Sequence, residues 1–222
     1  MFEDIASRYD LMNILMSFGM DRSWRRRLVD MALKDQPTVL LDIGAGTGDL
    51  SQIVSRHAKS PQICLGLDFA FNMLSVAQRR TSSVYVQADA RKLPVPVGSI
   101  DCIVTAFTIR NIQERQMLFS GFADVLRPGG RLVILEMTPM GGGPLAQLFR
   151  FYFGRIVPIL GRIVSGHPSA YSYLPQSVER FPSAEALTDD LVAAGFKDVS
   201  YRRHGFGSVA IHEALRADQD EL

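Results

Sequence analysis

Asp42-Ile43-Gly44-Ala45-Gly46-Thr47-Gly48-Asp49 decides the fold, because this stretch directly follows the apolar run 39–43. A glycine-rich loop between a strand and a helix is the nucleotide-binding turn of open α/β sheets. The next apolar run, 63–67, leads to Asp68, which comes 20 residues after Gly48 (68 − 48). Twenty residues are enough for one helix and the next strand, so Asp68 is expected at the carboxyl end of the neighbouring strand. An acid at that position can accept hydrogen bonds from both ribose hydroxyls. The sequence therefore predicts a nucleoside-binding half-domain with Asp68 on the ribose.

The charges around this loop argue against a dinucleotide as the ligand. Asp49 stands where the third glycine of the Gly-x-Gly-x-x-Gly fingerprint would fall, and Asp42 and Asp49 would both repel a pyrophosphate. S-Adenosylmethionine (SAM) instead carries an ammonium, a sulfonium and a single carboxylate. We therefore expect Asp42 to accept a hydrogen bond from the ammonium, with Gly44 and Gly46 under the adenosine. In the alternative interpretation, the glycines only form a tight turn and the acids cap helices.

Composition and charge restrict the other classes of function. The chain has 222 residues, 47% of them hydrophobic, which suits one core rather than two complete domains. Its formal net charge of +1 is too small to create an overall electrostatic field that would attract nucleic acid. Cys64 and Cys102 lie inside apolar runs, which favours buried thiols over a disulfide or a metal site. Together with an acidic N-terminus that lacks a secretory signal, this predicts a cytoplasmic protein without a metal.

The order of apolar runs predicts an α/β fold with a doubly wound, mostly parallel, seven-stranded sheet. Five strands are expected at 39–43, 63–67, 84–87, 100–107 and 131–136, with helices at 49–59, 71–80, 114–126 and 183–194. Segments 199–203 and 208–213 flank a glycine-containing turn and predict a C-terminal hairpin whose last strand is antiparallel. By analogy, this is the Rossmann-like architecture of class I methyltransferases, here as a single domain over 1–222.

Two segments exceed this core and are expected to carry substrate specificity. Residues 1–36 predict an N-terminal helical lid, and 138–181 predict a helical insertion on the substrate side. Within the insertion, 145–165 is mostly apolar but contains three arginines, which disfavours a membrane-spanning helix. Three alternatives stay open for it: rest on a bilayer surface, formation of an apolar pocket, or packing of an amphipathic helix on its own protein.

Several motifs together resemble the ubiquinone/menaquinone biosynthesis C-methyltransferase family. The most discriminating are Arg110-Asn111 and Tyr9-Asp10-Leu11-Met12-Asn13-Ile14-Leu15-Met16-Ser17-Phe18-Gly19-Met20-Asp21-Arg22-Ser23-Trp24. The similarity continues through 42–50, 88–94, 107–111, 125–132 and 171–177, so it spans about residues 2–213. The glycine loop and Pro128-Gly129-Gly130 are shared by many methyltransferases.

The resemblance implies methyl transfer from SAM to a ring carbon of a polyprenylated quinol, either demethylmenaquinol or the corresponding benzoquinol of ubiquinone biosynthesis. It also implies a lipophilic quinol as partner. Peripheral contact with the inner face of the membrane and a homodimer are further expectations. The cofactor contacts that it implies are Thr47, Asp68, Asp89 and Ala90, with Ala106 where the family often has serine. Asp89 would accept from the adenine amine, and the Ala90 amide would donate to a ring nitrogen.

The lid and substrate residues also come from the resemblance. It places Tyr9, Asp10 and Asn13 in a lid that closes over the cofactor, and Tyr171 and Tyr173 in the tyrosine-containing segment after the insertion. Asp21 departs from the family, which commonly has histidine at this position. As a residue type, Asp21 is expected to cap the helix that carries Trp24.

Arg110 and Asn111 are the predicted catalytic residues, because they follow the fourth strand at the switch point of the sheet. A ring carbon attacks a sulfonium methyl once an ortho or para hydroxyl loses its proton. The Arg110 guanidinium would stabilise the phenolate directly or through a water, and Asn111 would hold a ring oxygen. No external metal is required. Alternatively, Arg110 pairs with Glu114 and Asn111 caps the following helix.

Other functions compete with the quinol C-methyltransferase. The same class includes a methyltransferase of another hydrophobic small molecule. A different class is a non-catalytic SAM-binding scaffold in a membrane-associated complex. An NAD-dependent oxidoreductase is a third alternative, which the glycine spacing disfavours.

Overall fold

A seven-stranded sheet forms the centre of the structure, a computed structural model that describes residues 14, 16–157, 159 and 176–217. The strands are β1 (Val39–Ile43), β2 (Ile63–Asp68), β3 (Val84–Gln87), β4 (Ile100–Ala106), β5 (Leu126–Met137), β6 (Phe196–His204) and β7 (Val209–Arg216). Their order is β3-β2-β1-β4-β5-β7-β6, and β7 is antiparallel to both β5 and β6. The predicted doubly wound sheet with an antiparallel last strand is confirmed.

Helices cover both faces of the sheet. They are α1 (Asp21–Ala32), α2 (Asp49–Ser55), α3 (Phe71–Arg80), α4 (Arg115–Val125), α5 (Pro144–Phe151) and α6 (Ala184–Ala193). Successive strand side chains alternate between two cores, as the pleat of a sheet requires. Leu40 packs in the core that contains Leu28 of α1, whereas its neighbour Leu41 packs in the core that contains Phe122 of α4. Near-continuous apolar strands are therefore needed, and this explains why the sequence pattern located them.

Element boundaries depart from the predictions where local turns compete with the helix. The predicted helix 49–59 ends at Ser55, because the chain then turns, with the Lys59 amide donating to His57 Nδ1 at 3.1 Å. The first strand residue of β5 is Leu126 rather than Arg131, and the register with β4 shifts over the intervening Pro-Gly-Gly segment. Ser183 caps α6 as predicted, accepting from the Ala186 amide at 3.2 Å.

The two additional segments contribute helices beside the sheet. In 1–36, the described part contains α1, which buries Leu28 and Val29 completely, so this helix belongs to the core. The N-cap of α1 is Met20, and the expectation that Asp21 caps the helix is wrong, because Asp21 is already its first residue. In the insertion, α5 continues into a π-helical turn, Tyr152–Ile156. In the part of the chain that the structure describes, no helix has the length and apolar character to cross a bilayer.

Candidate active site

The strand order reverses direction between β1 and β4, and two cavities open near the carboxyl ends of these strands. Ligands of open α/β sheets bind at this switch point. The first, which we call the polar cavity, has a volume of about 470 Å³. Its described walls include Arg25, Gly44, Gly46, Thr47, Asp49, Asp68, Asp89, Ala90, Ala106, Phe107, Asn111 and Glu114.

The glycine loop closes one side of the polar cavity and is tied to β2. The amides of Gly44 and Ala45 both donate to the Leu67 carbonyl, at 2.7 and 3.0 Å. Gly44 has φ +71°, and a β-carbon there would come within 2.0 Å of the Thr108 hydroxyl oxygen. Only glycine therefore allows this close approach of the loop to the residues after β4.

Asp68 is oriented by the same loop. Its Oδ2 accepts from the Gly46 amide at 2.8 Å, and its Oδ1 accepts from the Ala70 amide at 2.9 Å. Burial raises the pKa of Asp68, although these backbone hydrogen bonds act in the opposite direction. The carboxylate is held at the wall of the polar cavity, with lone pairs remaining for hydroxyl donors.

Asp42 lies deeper, and it is not among the residues that line the polar cavity. It is 1% exposed, and its Oδ2 accepts from the Ser51 hydroxyl at 3.1 Å, while its Oδ1 has no hydrogen-bond partner among the described residues. Burial raises the pKa of Asp42 to about 7, and the nearby Asp68 and Asp49 act in the same direction. The predicted contact with an ammonium stays a prediction, and the structure places the charge behind the loop.

The far end of the polar cavity contains Asp89 and Ala90. Arg91 donates to both Asp89 oxygens and also to Glu114, at distances of 2.6 to 3.0 Å. The side-chain hydrogen bond from Arg91 lowers the pKa of Asp89 to about 2, so this carboxylate is ionised. The other predicted contacts, Thr47 and Ala106, line the cavity as well, and Ala106 offers only backbone atoms.

Arg25 is a residue of the polar cavity that sequence reasoning missed. It projects from α1, is 7% exposed, and places Nη2 at 4.0 Å from Asp49 Oδ2. Its Nε has no hydrogen-bond partner within the described residues. One signal was available: Arg25 occupies the buried face of α1 with Trp24 and Leu28, and a charge on an apolar face needs a partner.

The second cavity, which we call the apolar cavity, has a volume of about 390 Å³. Its described walls include Met16, Phe18, Met20, Asp21, Trp24, Phe107, Arg110, Met137, Leu148, Phe149, Phe151, Tyr152, Phe153, Ile156 and Phe206. These residues come from α1 and the residues before it, from the segment after β4 and the end of β5, from α5 and its π-helical turn, and from the β6–β7 turn. The insertion therefore contributes to an apolar pocket, one of the alternatives left open by the sequence.

Phe107 is the single described residue that lines both cavities. Its φ is +60°, a conformation that bulky side chains rarely adopt outside functional sites. Two guanidinium groups lie near the ring, with Arg25 Cζ at 5.3 Å and Arg110 Cζ at 5.9 Å from its centroid. The two cavities are thus neighbours that meet at Phe107.

The structure separates the two predicted catalytic residues. Arg110 lines the apolar cavity, and its Nη1 donates to Glu136 Oε1 and to the Phe107 carbonyl, each at 2.7 Å. Asn111 lines the polar cavity instead. The alternative pairing of Arg110 with Glu114 is wrong, because Glu114 pairs with Arg91.

The alternative that Asn111 caps the next helix is also wrong. The N-cap position of α4 is occupied by Glu114, and Asn111 belongs to a separate 3-10 turn, Ile109–Asn111. Glu136 was not predicted as a site residue. Its signal in the sequence is an acid inside the apolar run of β5.

Five predicted residues fall outside the described residues. They are Tyr9, Asp10 and Asn13 of the predicted lid, and Tyr171 and Tyr173 of the segment after the insertion. Their assignments stay predictions.

Solved methyltransferases share this fold. A SAM-dependent methyltransferase from Thermotoga maritima matches with a TM-score of 0.69 and 18% identity, over 97% of each chain. Human N-acetylserotonin methyltransferase, solved in complex with SAM, matches with a TM-score of 0.65 and 18% identity, over 95% of this chain and 56% of its own. At these identities the similarity establishes the class I methyltransferase fold.

Sequence comparison identifies the family. The model of the ubiE/COQ5 methyltransferase family matches residues 1–216. The demethylmenaquinone methyltransferase of Thermus thermophilus is 44% identical over 217 residues, which are 96% of this chain and 98% of the relative. A ubiquinone/menaquinone biosynthesis C-methyltransferase of Desulfotalea psychrophila is 36% identical over 219 residues, covering 97% and 89%. The chain therefore belongs to the ubiE/COQ5 methyltransferase family and is a SAM-dependent methyltransferase.

Proposed function

We propose that this protein methylates a ring carbon of a polyprenylated quinol, with demethylmenaquinol as the first candidate and the corresponding benzoquinol as the second. The observation that carries the proposal is the pair of adjoining cavities. One is polar and rich in acids, which suits a cationic nucleoside, and the other is almost entirely apolar, which suits a lipophilic ring. The relatives named demethylmenaquinone methyltransferase support the choice of acceptor.

The residues of the polar cavity fit SAM, which supplies the methyl group when bound. Asp68 would hold the ribose hydroxyls, while Asp89 and the Ala90 amide would contact the adenine. The guanidinium of Arg25, which lines the polar cavity, suits the one carboxylate that SAM carries. The acids at Asp42 and Asp49 favour its cationic amino and sulfonium groups by charge. Thr47, Ala106 and Asn111 complete this site.

The residues of the apolar cavity fit a quinol ring with the first part of its prenyl chain. A cavity of about 390 Å³ holds a drug-sized molecule. Arg110 is the cation in its described wall, and it would stabilise a phenolate oxygen electrostatically. Because both cavities meet at Phe107, the acceptor carbon and the methyl group come together beside that ring.

The experiment that tests this function combines the protein with methyl-labelled SAM and a short-chain demethylmenaquinol under reducing conditions. We expect saturable SAM binding and label on the quinol ring. Label that appears only on a different hydrophobic acceptor would support another small-molecule methyltransferase. Saturable binding without transfer to any acceptor would support a non-catalytic scaffold.

We also propose that the mouth of the apolar cavity rests on the inner face of the membrane. Five of its lining residues are exposed apolar side chains, with exposed fractions from 38% to 78%: Phe18, Leu148, Phe151, Ile156 and Phe206. Arg150 and Arg155 are exposed on the same helical segment, where they suit anionic lipid headgroups. A prenyl chain that is too long for the cavity would extend out of it past this rim.

Replacing Leu148 and Phe151 together by serine should slow turnover of a long-chain quinol in anionic vesicles by about 10-fold, because buried apolar area anchors the rim. Turnover of a short-chain quinol without vesicles should fall much less. The matched control is Met117→Ser, since Met117 is 57% exposed on α4, close to the 58% of Phe151. Co-sedimentation with vesicles and label transfer give the two measurements. Equal slowing in both assays would contradict membrane contact at this rim.

A further inference from the structure

Asp21 is the one carboxylate in the described wall of the apolar cavity. It stands at the start of α1 and is 5% exposed. The other ionisable groups that line this cavity are the Arg110 guanidinium and the Tyr152 hydroxyl. An acid in such an apolar surrounding is unfavourable unless its oxygens find donors. The contacts of its two oxygens therefore show whether groups of the protein already satisfy this carboxylate.

Among the described residues, one oxygen of this carboxylate accepts a hydrogen bond, and the other is ion-paired with Arg25. Oδ1 accepts from the Ser17 hydroxyl at 3.1 Å. Oδ2 lies 3.8 Å from Arg25 Nε, too far for a hydrogen bond, and no other described residue donates to it. Buried carboxylate oxygens are normally hydrogen-bonded, so Oδ2 has capacity for a donor that enters the cavity.

We propose that Asp21 is the general base that takes the hydroxyl proton of the quinol. This inference rests on the proposed function and names the group that starts its chemistry. The O–H bond breaks, the proton moves to Asp21 Oδ2, and the electron pair stays on the quinol oxygen. That oxygen becomes the phenolate whose charge activates the ring carbon for methylation. After methylation, the ring carbon loses its own hydrogen as a proton to water, and Asp21 returns its proton to the oxygen.

In the proposed reaction, Asp21 and Arg110 have different roles in the apolar cavity. A guanidinium is always protonated at working pH and cannot accept a proton, so Arg110 cannot be the base itself. It can stabilise the phenolate that Asp21 creates. The described cations around Asp21 are Arg25, whose Nε lies 3.8 Å from Asp21 Oδ2, and Arg110, which lines the same cavity. Burial raises the pKa of the Tyr152 hydroxyl and so favours its protonated form.

The test compares the wild-type protein with Asp21→Asn between pH 7 and pH 9, with a short-chain demethylmenaquinol under anaerobic conditions. Asparagine keeps the size of the side chain and an oxygen that accepts from Ser17. We expect turnover of the variant at pH 7 to fall about 100-fold. The affinities for SAM and for the quinol, measured by calorimetry, should change little.

The pH dependence separates a base from a structural residue. A phenolic hydroxyl ionises by itself near pH 10, so turnover of Asp21→Asn should rise about 10-fold per pH unit. The wild-type rate should rise far less, and Asp21→Glu, which keeps a carboxylate, should regain turnover at pH 7. A loss that is the same at every pH would overturn the proposal. If the wild-type protein methylates no quinol, the proposed function fails, whatever the variants do.

Discussion

Arg110→Ala is expected to lower kcat by about 100- to 1,000-fold and the free energy of unfolding by about 3 to 5 kcal/mol. The guanidinium and its partner Glu136 are buried, with side chains 6% and 2% exposed, so removal of one charge leaves the other unpaired. In the proposed reaction the same guanidinium stabilises the phenolate. SAM affinity should stay near the wild-type value, because Arg110 lines the apolar cavity and not the polar one.

The double variant Arg110→Ala/Glu136→Gln separates these two effects. It removes both charges, so much of the lost stability should return. The side-chain amide oxygen introduced by Glu136→Gln can still accept from the Met137 amide, as the Glu136 carboxylate does at 2.8 Å. Turnover should remain as low as in Arg110→Ala. Chemical denaturation and label transfer are the measurements. Turnover that recovers together with stability would show that Arg110 acts only as a structural partner of Glu136.

Asp42→Asn is expected to stabilise the SAM-free protein at pH 8 by about 2 to 4 kcal/mol. Burial raises the pKa of Asp42 from 3.8 to about 7 in the folded state. Folding therefore favours the protonated form, and stability falls as the pH rises from about 4 to about 7. Above that range the full penalty of the buried charge applies. The amide has no such penalty, so the difference should vanish near pH 4.

The same substitution should weaken SAM binding at pH 8 by about 10-fold, because a carboxylate behind the glycine loop attracts the cationic ligand. The unfolding free energies at pH 4 and pH 8 and calorimetric titration with SAM are the measurements. Ser51→Ala is a useful control, since it removes the hydroxyl that donates to Asp42 but keeps the charge. A variant that is less stable than wild type at pH 8 would contradict the assigned penalty.

The sheet could be predicted from sequence because its central strands, β1 and β4, are buried on both faces and the outer strands β2 and β3 are short β-branched or apolar runs. β1, β2 and β3 were located to within one residue, since each is a compact apolar or β-branched run. The glycine loop likewise identified the polar cavity, because the loop, Asp68 and Asp89 all follow strands that end at the same edge. For these residues, the sequence pattern and the folded structure indicate the same site.

The charged contacts of the site could not be predicted, because they join residues distant in the chain. Arg110 was expected to interact within its own turn, whereas its partner Glu136 lies 26 residues away on the neighbouring strand. Arg25 and Asp21 belong to a helix whose position against the sheet decides which cavity each residue lines. Periodicity shows that these residues share a buried face, and only the packing of α1 shows what that face meets.

Because Phe107 is the single described residue that lines both cavities, substitutions elsewhere in their walls are expected to affect one ligand site at a time. The polar cavity, proposed for the nucleoside, is lined mainly by the loops after β1, β2, β3 and β4, with Arg25 from α1. The apolar cavity, proposed for the acceptor, is lined mainly by α1 and the residues before it, by α5 with its π-helical turn, and by the β6–β7 turn. Mutations in the second group can change acceptor preference while donor binding is preserved. A replacement of Phe107 is expected to alter both cavities at once.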